Sequence, residues 1–260
     1  MAGLSPAEIS FPIRSVFRKN RNVQVLLAEV SEIHPKESKV LTTIGDFNYD
    51  YLVLACGAEH SYFGHEEWED NAPGLKTLEQ AIEIRRRVLL AFEHAEAQND
   101  PQLLKSYMTF AIIGGGPTGV ELAGALGEIT RFTLKKDFRR IDPRQAQVVL
   151  IEAGPRILSS FTENVSLQAG RDLASLGIQI RTNCRVTHVD ENGLQIGREF
   201  LAAKTIIWAA GVKPSSLNQS LDTPLDKSGR ALVELDLSLW RTGSVFIGQC
   251  CSSPFERSEL

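Results

Sequence analysis

The stretch Thr109 to Gly124, T-F-A-I-I-G-G-G-P-T-G-V-E-L-A-G, constrains this chain more than any other. An apolar strand, Phe110 to Ile113, runs straight into Gly114, Gly116 and Gly119, and a helix must begin at once. Strand, G-x-G-x-x-G and helix together are the fingerprint of a dinucleotide-binding βαβ unit. Gly114 makes the tight turn, Gly116 lets a pyrophosphate approach the backbone, and Gly119 lets helix and strand pack closely. Pro117 falls in the first helical turn, where its missing N–H costs little. Gly115 and Thr118 complete the loop, whose free N–H groups and helix dipole favour an anion. A second apolar strand, Val148 to Ile151, ends in Glu152, the position that hydrogen-bonds an adenine ribose. A carboxylate there repels a 2′-phosphate, which favours NAD(H) over NADP(H). Arg156, four residues on, is the one group nearby that would suit NADPH. Glu152 follows Gly119 by 33 positions (119 to 152), more than the usual gap of about 20. A long helix from Pro117 towards Phe138 and a charged loop, Arg139 to Gln145, fill the excess.

Composition excludes several classes. The 260 residues carry a net charge of −4, which gives nucleic-acid binding no support. No apolar run approaches the roughly 18 residues of a membrane span, and M-A-G-L-S-P-A-E has no basic region followed by an apolar one, so no signal peptide is visible and a cytoplasmic protein is expected. The four cysteines, Cys56, Cys184, Cys250 and Cys251, form no C-x-x-C and read as reduced, buried thiols. The five histidines show no metal-ligand spacing, so no metal is expected.

In order, Ser5-Pro6-Ala7-Glu8 reads as a capping box opening a short helix. Val23 to Ile33 is strand-like, with Lys39 to Thr43 as its hairpin partner. Tyr49 to Ala58 reads as a buried strand ending in a glycine turn. Thr77-Leu78-Glu79-Gln80 is a second capping box, opening a long amphipathic helix that Asn99-Asp100-Pro101 ends. After Glu152, Thr162 to Leu176 reads as a helix stopped by Gly177. Ile178 to Arg181, Arg185 to Val189, Gly193 to Ile196 and Phe200 to Ala202 look like short antiparallel strands, with Asp190 to Gly193 as one turn. Thr205 to Gly211 repeats the pattern of a buried strand ending in glycine, and Val245 to Gly248 is a last strand. The basic residues Lys135, Lys136, Arg139 and Arg140 read as cations at a helix C-terminus rather than as a membrane surface.

The motifs G-L-S-P-A-E-I-S, Y-D-Y-L-V-L-A-C-G-A, S-Y-F-G-H-E-E-W, A-P-G-L-K-T-L-E, G-G-G-P-T-G-V-E-L-A-G-A-L, D-F-R-R-I-D-P-R, I-E-A-G-P-R-I-L and W-A-A-G-V resemble the type II NADH:quinone oxidoreductases. These belong to the FAD-dependent pyridine nucleotide–disulfide oxidoreductase superfamily. The resemblance implies an α/β fold in which a Rossmann-like NAD(H)-binding domain is inserted into an FAD-binding domain. The expected division is 1–103 for a first FAD-domain segment, 104–210 for the NAD(H) domain and 211–260 for the return to the FAD domain. Tyr51 to Gly57 and Thr205 to Gly211 would be the two crossings. The implied chemistry is hydride from NADH to FAD, then electrons to a quinone. Gly114, Gly115, Gly116, Pro117, Thr118, Gly119, Glu152 and Gly211 would hold NADH. Val30, Ala55, Gly57 and Gly248 would line the FAD side. Glu121 would lie near the nicotinamide as the catalytic-site carboxylate; its bland alternative is a helix-dipole partner.

The sequence departs from that family in places. The family's first glycine-rich loop has no counterpart here, Cys56 stands where a threonine is usual, and Gly248 is followed by Gln249 where the family's strand ends in Gly-Asp. The quinone-facing segment and amphipathic membrane helices, by which the family sits peripherally on the membrane, also have no counterpart. The expectation is therefore a piece truncated at both ends, with NAD(H) binding intact and FAD binding weak or lost. The alternatives are a flavin-free NAD(H)-binding protein without turnover, or a non-functional product.

Overall fold

The computed structural model describes residues 10–239, 244–247 and 251–252. The expected capping box at Ser5, the FAD-side Gly248 and the departure at Gln249 lie outside them. The chain divides into two compact units: Ser61–Gly211 with the first ten residues, and Phe11–His60 with Val212–Leu260. The first is thus inserted in the sequence of the second. Its boundary falls at 61 rather than 104, because the long capped helix packs on the parallel sheet.

In the Phe11–His60 unit, α1 (Ile13–Val16) is a single turn. Strands β1 (Val30–His34), β2 (Lys39–Thr42) and β3 (Gly45–Asn48) form an antiparallel sheet in that order. The expected strand from Val23 therefore begins only at Val30. Residues 23–29 are mostly exposed, with only Glu29 bonded across to Thr43, and Leu27 is 91% exposed. The expected Tyr49–Ala58 strand resolves into β4 (Leu52–Leu54) and β5 (Ala58–His60). Between them Gly57 turns at φ +72°, and Cys56 is exposed rather than buried. After the inserted unit, β13 (Val212–Pro214) pairs antiparallel with β5, and β15 (Val245–Ile247) pairs parallel with β4. Between these two lies β14 (Ala231–Leu232). Ile33, Leu54, Leu221, Val233, Leu239, Val245 and Ile247 form this unit's core.

The Ser61–Gly211 unit is a Rossmann-like dinucleotide-binding fold. Its helices are α2 (Leu78–Ala97), α3 (Pro101–Tyr107), α4 (Pro117–Glu128) and α5 (Glu163–Ser175). Its parallel sheet joins β6 (Thr109–Ile113), β7 (Gln147–Ile151), β8 (Gln179–Arg181) and β12 (Thr205–Trp208) in the order β12-β6-β7-β8. Strands β6 and β12 are buried at every position, as strands covered on both faces must be. Strand β8 is a correction: it pairs parallel with β7 and does not join the antiparallel meander. That meander is β9 (Val186–Asp190), β10 (Gly193–Ile196) and β11 (Glu199–Ala202), and the Asp190 carboxylate accepts from Asn192 and Gly193 N–H at its turn.

Helix α2 starts at the expected capping box. Thr77 Oγ1 accepts from Gln80 N–H, and Gln80 Oε1 accepts from Thr77 N–H. Its buried face, Ile84, Val88, Phe92 and Ala95, packs with Phe110, Ile112 and Ile207 of the sheet. Helix α3 was not legible as a helix, although Asp100 caps it by accepting from Gln102 and Leu103 N–H, with Pro101 at its first position. Helix α4 ends sooner than expected, at Glu128, and passes into a π-helical turn, Ile129–Thr133. Helix α5 stops before Gly177, which turns at φ +74°.

Candidate functional site

The chain runs from β6 to β7 to β8 on one side and returns to β12 on the other. The strand order therefore reverses between β6 and β12, and a crevice at the carboxyl ends of such strands is where dinucleotides bind in this architecture. A cavity of about 630 Å³ opens there, lined by Ile113 and Gly114 at the end of β6, Ile151 and Glu152 at the end of β7, and Trp208 to Gly211 at the end of β12.

The glycines behave as backbone geometry requires. Gly114 sits at φ +112°, and a Cβ there would lie 2.7 Å from the Ala209 carbonyl carbon. A Cβ on Gly119 would collide with the Gly114 carbonyl oxygen, so helix and turn close on each other only without one. Gly116 is the N-cap of α4, lines the cavity, and faces open space. Any substituent there would point into the room a ligand needs.

Glu152 is more constrained than sequence reasoning anticipates. Its Oε2 accepts from Gly115 N–H at 2.6 Å and its Oε1 from Gly154 N–H at 2.6 Å. The carboxylate thus ties the glycine loop to the loop after β7, and Gly115 must lack a side chain because a Cβ would lie 3.0 Å from that oxygen. Each oxygen keeps acceptor capacity towards the cavity. Gly114 N–H donates to Ile151 O, which leaves the N–H groups of Gly116, Thr118 and Gly119 as the loop's donors for an anion.

The loop after β7 contributes more than Glu152. Leu158 N–H donates to Gly115 O at 2.7 Å, and Ser159 lines the cavity. The guanidinium of Arg156 is spent on backbone carbonyls, those of Leu158, Ser159 and Phe161. It holds that loop folded.

An aromatic wall was missed in the sequence. Tyr62 lies 4.9 Å from Trp208 between centroids, Trp68 meets Trp208 edge-on at 5.8 Å, and His65 stacks on Trp68 at 4.2 Å. Trp208 Nε1–H donates to Ser61 O, and Tyr62 O–H donates to Ala72 O. Burial pushes the Tyr62 phenol up to about 12, so it stays a neutral donor. Gly211, at φ +72°, admits Phe63 beside it; a Cβ would lie 2.6 Å from the Phe63 ring. The aromatic residues of S-Y-F-G-H-E-E-W were the available signal. Cys184, Arg185, Val186 and Thr187 form another side of the cavity.

Other expected residues fall elsewhere. Glu121 is exposed on α4 and is not among the cavity-lining residues. Pro117 occupies the first helical position, as expected. Val30 and Gly57 are half-buried and Ala55 is exposed, all in the Phe11–His60 unit; a Cβ on Gly57 would meet nothing within 4 Å. No cluster of His, Cys, Asp or Glu able to hold a metal occurs among the described residues.

The sequence profile described as pyridine nucleotide-disulphide oxidoreductase matches residues 3–256. The chain belongs to that family. Within the pyridine nucleotide-disulphide oxidoreductases it is 38% identical over 257 residues to the type II NADH:quinone oxidoreductase Ndh of Mycobacterium tuberculosis, covering 94% of this chain and 56% of that protein. A type II NADH:quinone oxidoreductase of Haemophilus influenzae is 30% identical over 258 residues, covering 94% and 57%. The chain spans about half the length of the curated relatives it matches. Among solved structures, NDH2 of Plasmodium falciparum in complex with NADH superposes with a TM-score of 0.76 at 24% identity, over 88% of this chain and 50% of that one. Putidaredoxin reductase, in its covalent complex with putidaredoxin, gives 0.72 at 20% identity, over 97% and 56%. These two likenesses speak to the fold. No described helix is long and apolar enough to cross a membrane.

Proposed function

We propose that the Ser61–Gly211 unit binds NADH and presents it for hydride transfer, as part of an FAD-dependent NADH:quinone oxidoreductase. The observation that carries the reading is the cavity at the strand reversal, where Gly116 faces open space beside the fixed carboxylate of Glu152. The names of the curated relatives support the quinone as acceptor.

NADH, when bound, supplies the hydride; the chain's own residues hold and orient it. The N–H groups of Gly116, Thr118 and Gly119, at the positive end of α4, take the pyrophosphate. Glu152 accepts from ribose hydroxyls and meets a 2′-phosphate with like charge. The wall of Tyr62, Phe63, Trp68 and Trp208 excludes water and gives a flat heterocycle a face to pack on. Glu121 is exposed near the start of α4 and lies outside the cavity lining, so its part is electrostatic rather than direct contact with a ligand in this cavity.

FAD belongs to the same reading through Val30, Ala55 and Gly57. Among the described residues of the Phe11–His60 and Val212–Leu260 unit, no helix exceeds five residues.

Titrating NADH against the fluorescence of Trp68 and Trp208 tests the proposal directly. Saturable quenching, lost in Gly116→Val, is the expected result. Wild-type affinity in that variant overturns the assignment. A visible spectrum of the purified protein measures its flavin, and NADH oxidation with a soluble quinone tests the turnover.

A further inference from the structure

The far end of the parallel sheet carries a second concavity, of about 520 Å³. Its lining includes Met108, immediately before β6, and Gln147, the first residue of β7. It therefore lies at the amino ends of the strands whose carboxyl ends carry the glycine loop, and the two sites share no residue. We propose that this cavity is a binding site for a phosphate group, separate from the dinucleotide site.

Its cations are Lys105, Arg139 and Arg140, all exposed. The acidic groups around them are largely committed. Asp142 is engaged by Arg144 through both its oxygens, at 2.9 Å from Nε and 2.7 Å from Nη2. Glu96, at the end of α2, accepts from the backbone N–H groups of Arg139, Arg140 and Ile141 at 3.0–3.1 Å. That clamp fixes the loop backbone; the Arg140 charge also acts on the Glu96 carboxylate, while no Arg139 side-chain bond to it occurs among the described residues. Arg140 makes one side-chain bond, to Asn99 Oδ1 at 2.7 Å, which fixes its direction and leaves donors unused. Arg139 and Lys105 have no ion-pair partner among the described residues.

Two guanidinium groups and an ammonium around a concavity suit phosphate oxygens, because Arg binds them bidentately and Lys as a point charge. The rest of the lining is apolar Leu104, Met108 and Ile141, the amides of Gln145 and Gln147, and Asp142, whose carboxylate Arg144 engages. Such a lining fits a phosphate carried on a larger molecule, whether a soluble nucleotide or a lipid headgroup. It goes beyond the helix-capping reading of Arg139 and Arg140, since they belong to a clamped loop and the third cation, Lys105, comes from α3.

The test uses the 260-residue protein, pyrophosphate and phospholipid vesicles at low salt. Backbone amide shifts on adding pyrophosphate should move at 105 and 139–147, separately from any movement at 114–119. The triple variant Lys105→Gln, Arg139→Gln, Arg140→Gln should weaken this binding at least about tenfold. A control triple with the same charge change elsewhere, Lys76→Gln, Arg198→Gln, Lys227→Gln, should change it less than about twofold. Sedimentation with phosphatidylglycerol vesicles, against phosphatidylcholine ones, runs with the same variants. Pyrophosphate binding without vesicle binding identifies a soluble ligand; vesicle binding lost only in the first triple identifies a headgroup. Equal losses in both triples, or no shift at 139–147 and no vesicle binding, overturns the proposal.

Discussion

Gly116 and Gly119 are separated by two residues, yet the same substitution should act on them in opposite ways. A side chain at Gly116 has room and an ordinary backbone conformation, so Gly116→Val should keep the melting temperature within about 2 °C while NADH binding disappears. A methyl group at Gly119 meets the Gly114 carbonyl oxygen, a backbone atom that cannot move without opening the turn. Gly119→Ala should therefore cost several degrees of melting temperature, whatever it does to binding. Parallel thermal melts and titrations of the two variants separate these outcomes, and equal melting losses would contradict the geometry. Glu152 combines both roles. Glu152→Gln replaces one acceptor oxygen by an NH₂ that faces an N–H donor of Gly115 or Gly154, a loss of about 1–3 kcal/mol. It also removes the charge facing a 2′-phosphate, so the preference of NADH over NADPH should be at least about tenfold in wild type and narrow in the variant. Equal affinities in wild type would sink the ribose assignment. These glycines were legible in the sequence because their constraint is backbone geometry, which spacing alone expresses. The carboxylate clamp on Gly115 and the retirement of Arg156 onto three carbonyls were not, because both depend on how the loop after β7 folds back.

At the scale of elements, helix α2 shows which local signals carry. Its capping box was readable from Thr77 and Gln80, and Thr77→Ala should cost about 1 kcal/mol, read as a fall of a few degrees in melting temperature. One turn further, the carboxylate of Glu83 is hydrogen-bonded by Arg86 and Arg87, and its pKa falls from the ordinary 4.5 to about 2, with the Arg86 bond the first cause. A carboxylate depressed in the folded state adds stability above its unfolded value, and that stability fades as pH drops from about 4.5 towards 2. Partial exposure screens the pair, so the effect is small. Glu83→Gln should flatten this part of the acid limb in a plot of melting temperature against pH, and an unchanged limb would refute the coupling. Signals were weaker for short elements. The run Ile178 to Arg181 says strand but says nothing of its partner, and only the register with Val149 to Ile151 makes it parallel. Asp100 and Pro101 read equally well as the end of one helix and the start of the next; here they are both. The aromatic wall around Trp208 comes largely from loop residues with no periodicity to betray their common direction.

For the whole molecule, the two units differ in how much each has to hold it together. The Ser61–Gly211 unit buries both faces of a four-stranded parallel sheet, with Phe92, Phe110, Ile112 and Leu150 on one side and Ala111, Val149, Ile206 and Trp208 on the other. The other unit has the smaller core around Ile33, Leu54 and Leu239, and its parallel strands β4 and β15 form a sheet of only two. Val53 in β4 is 69% exposed and Tyr51 before it 75%, so that small sheet has one apolar face in solvent. Two-stranded pairs contribute little stability of their own. Local opening should therefore be far cheaper in β4, β5 and β13 than in β6, β7 and β12. Native-state hydrogen exchange should show the slowest amides at Phe110 to Ile113, Val148 to Ile151 and Ile206 to Trp208, with Leu52 to Leu54 exchanging orders of magnitude faster. NADH sharpens the test, because a ligand at about 100 times its dissociation constant stabilises what binds it by about 2.7 kcal/mol. Added NADH should slow the global exchange of β6, β7 and β12 by about a hundredfold and leave β1, β2 and β3 unchanged. If all strands slowed together, the chain would be a single cooperative unit, and the division at Ser61 and Gly211 would mark geometry without energetic independence.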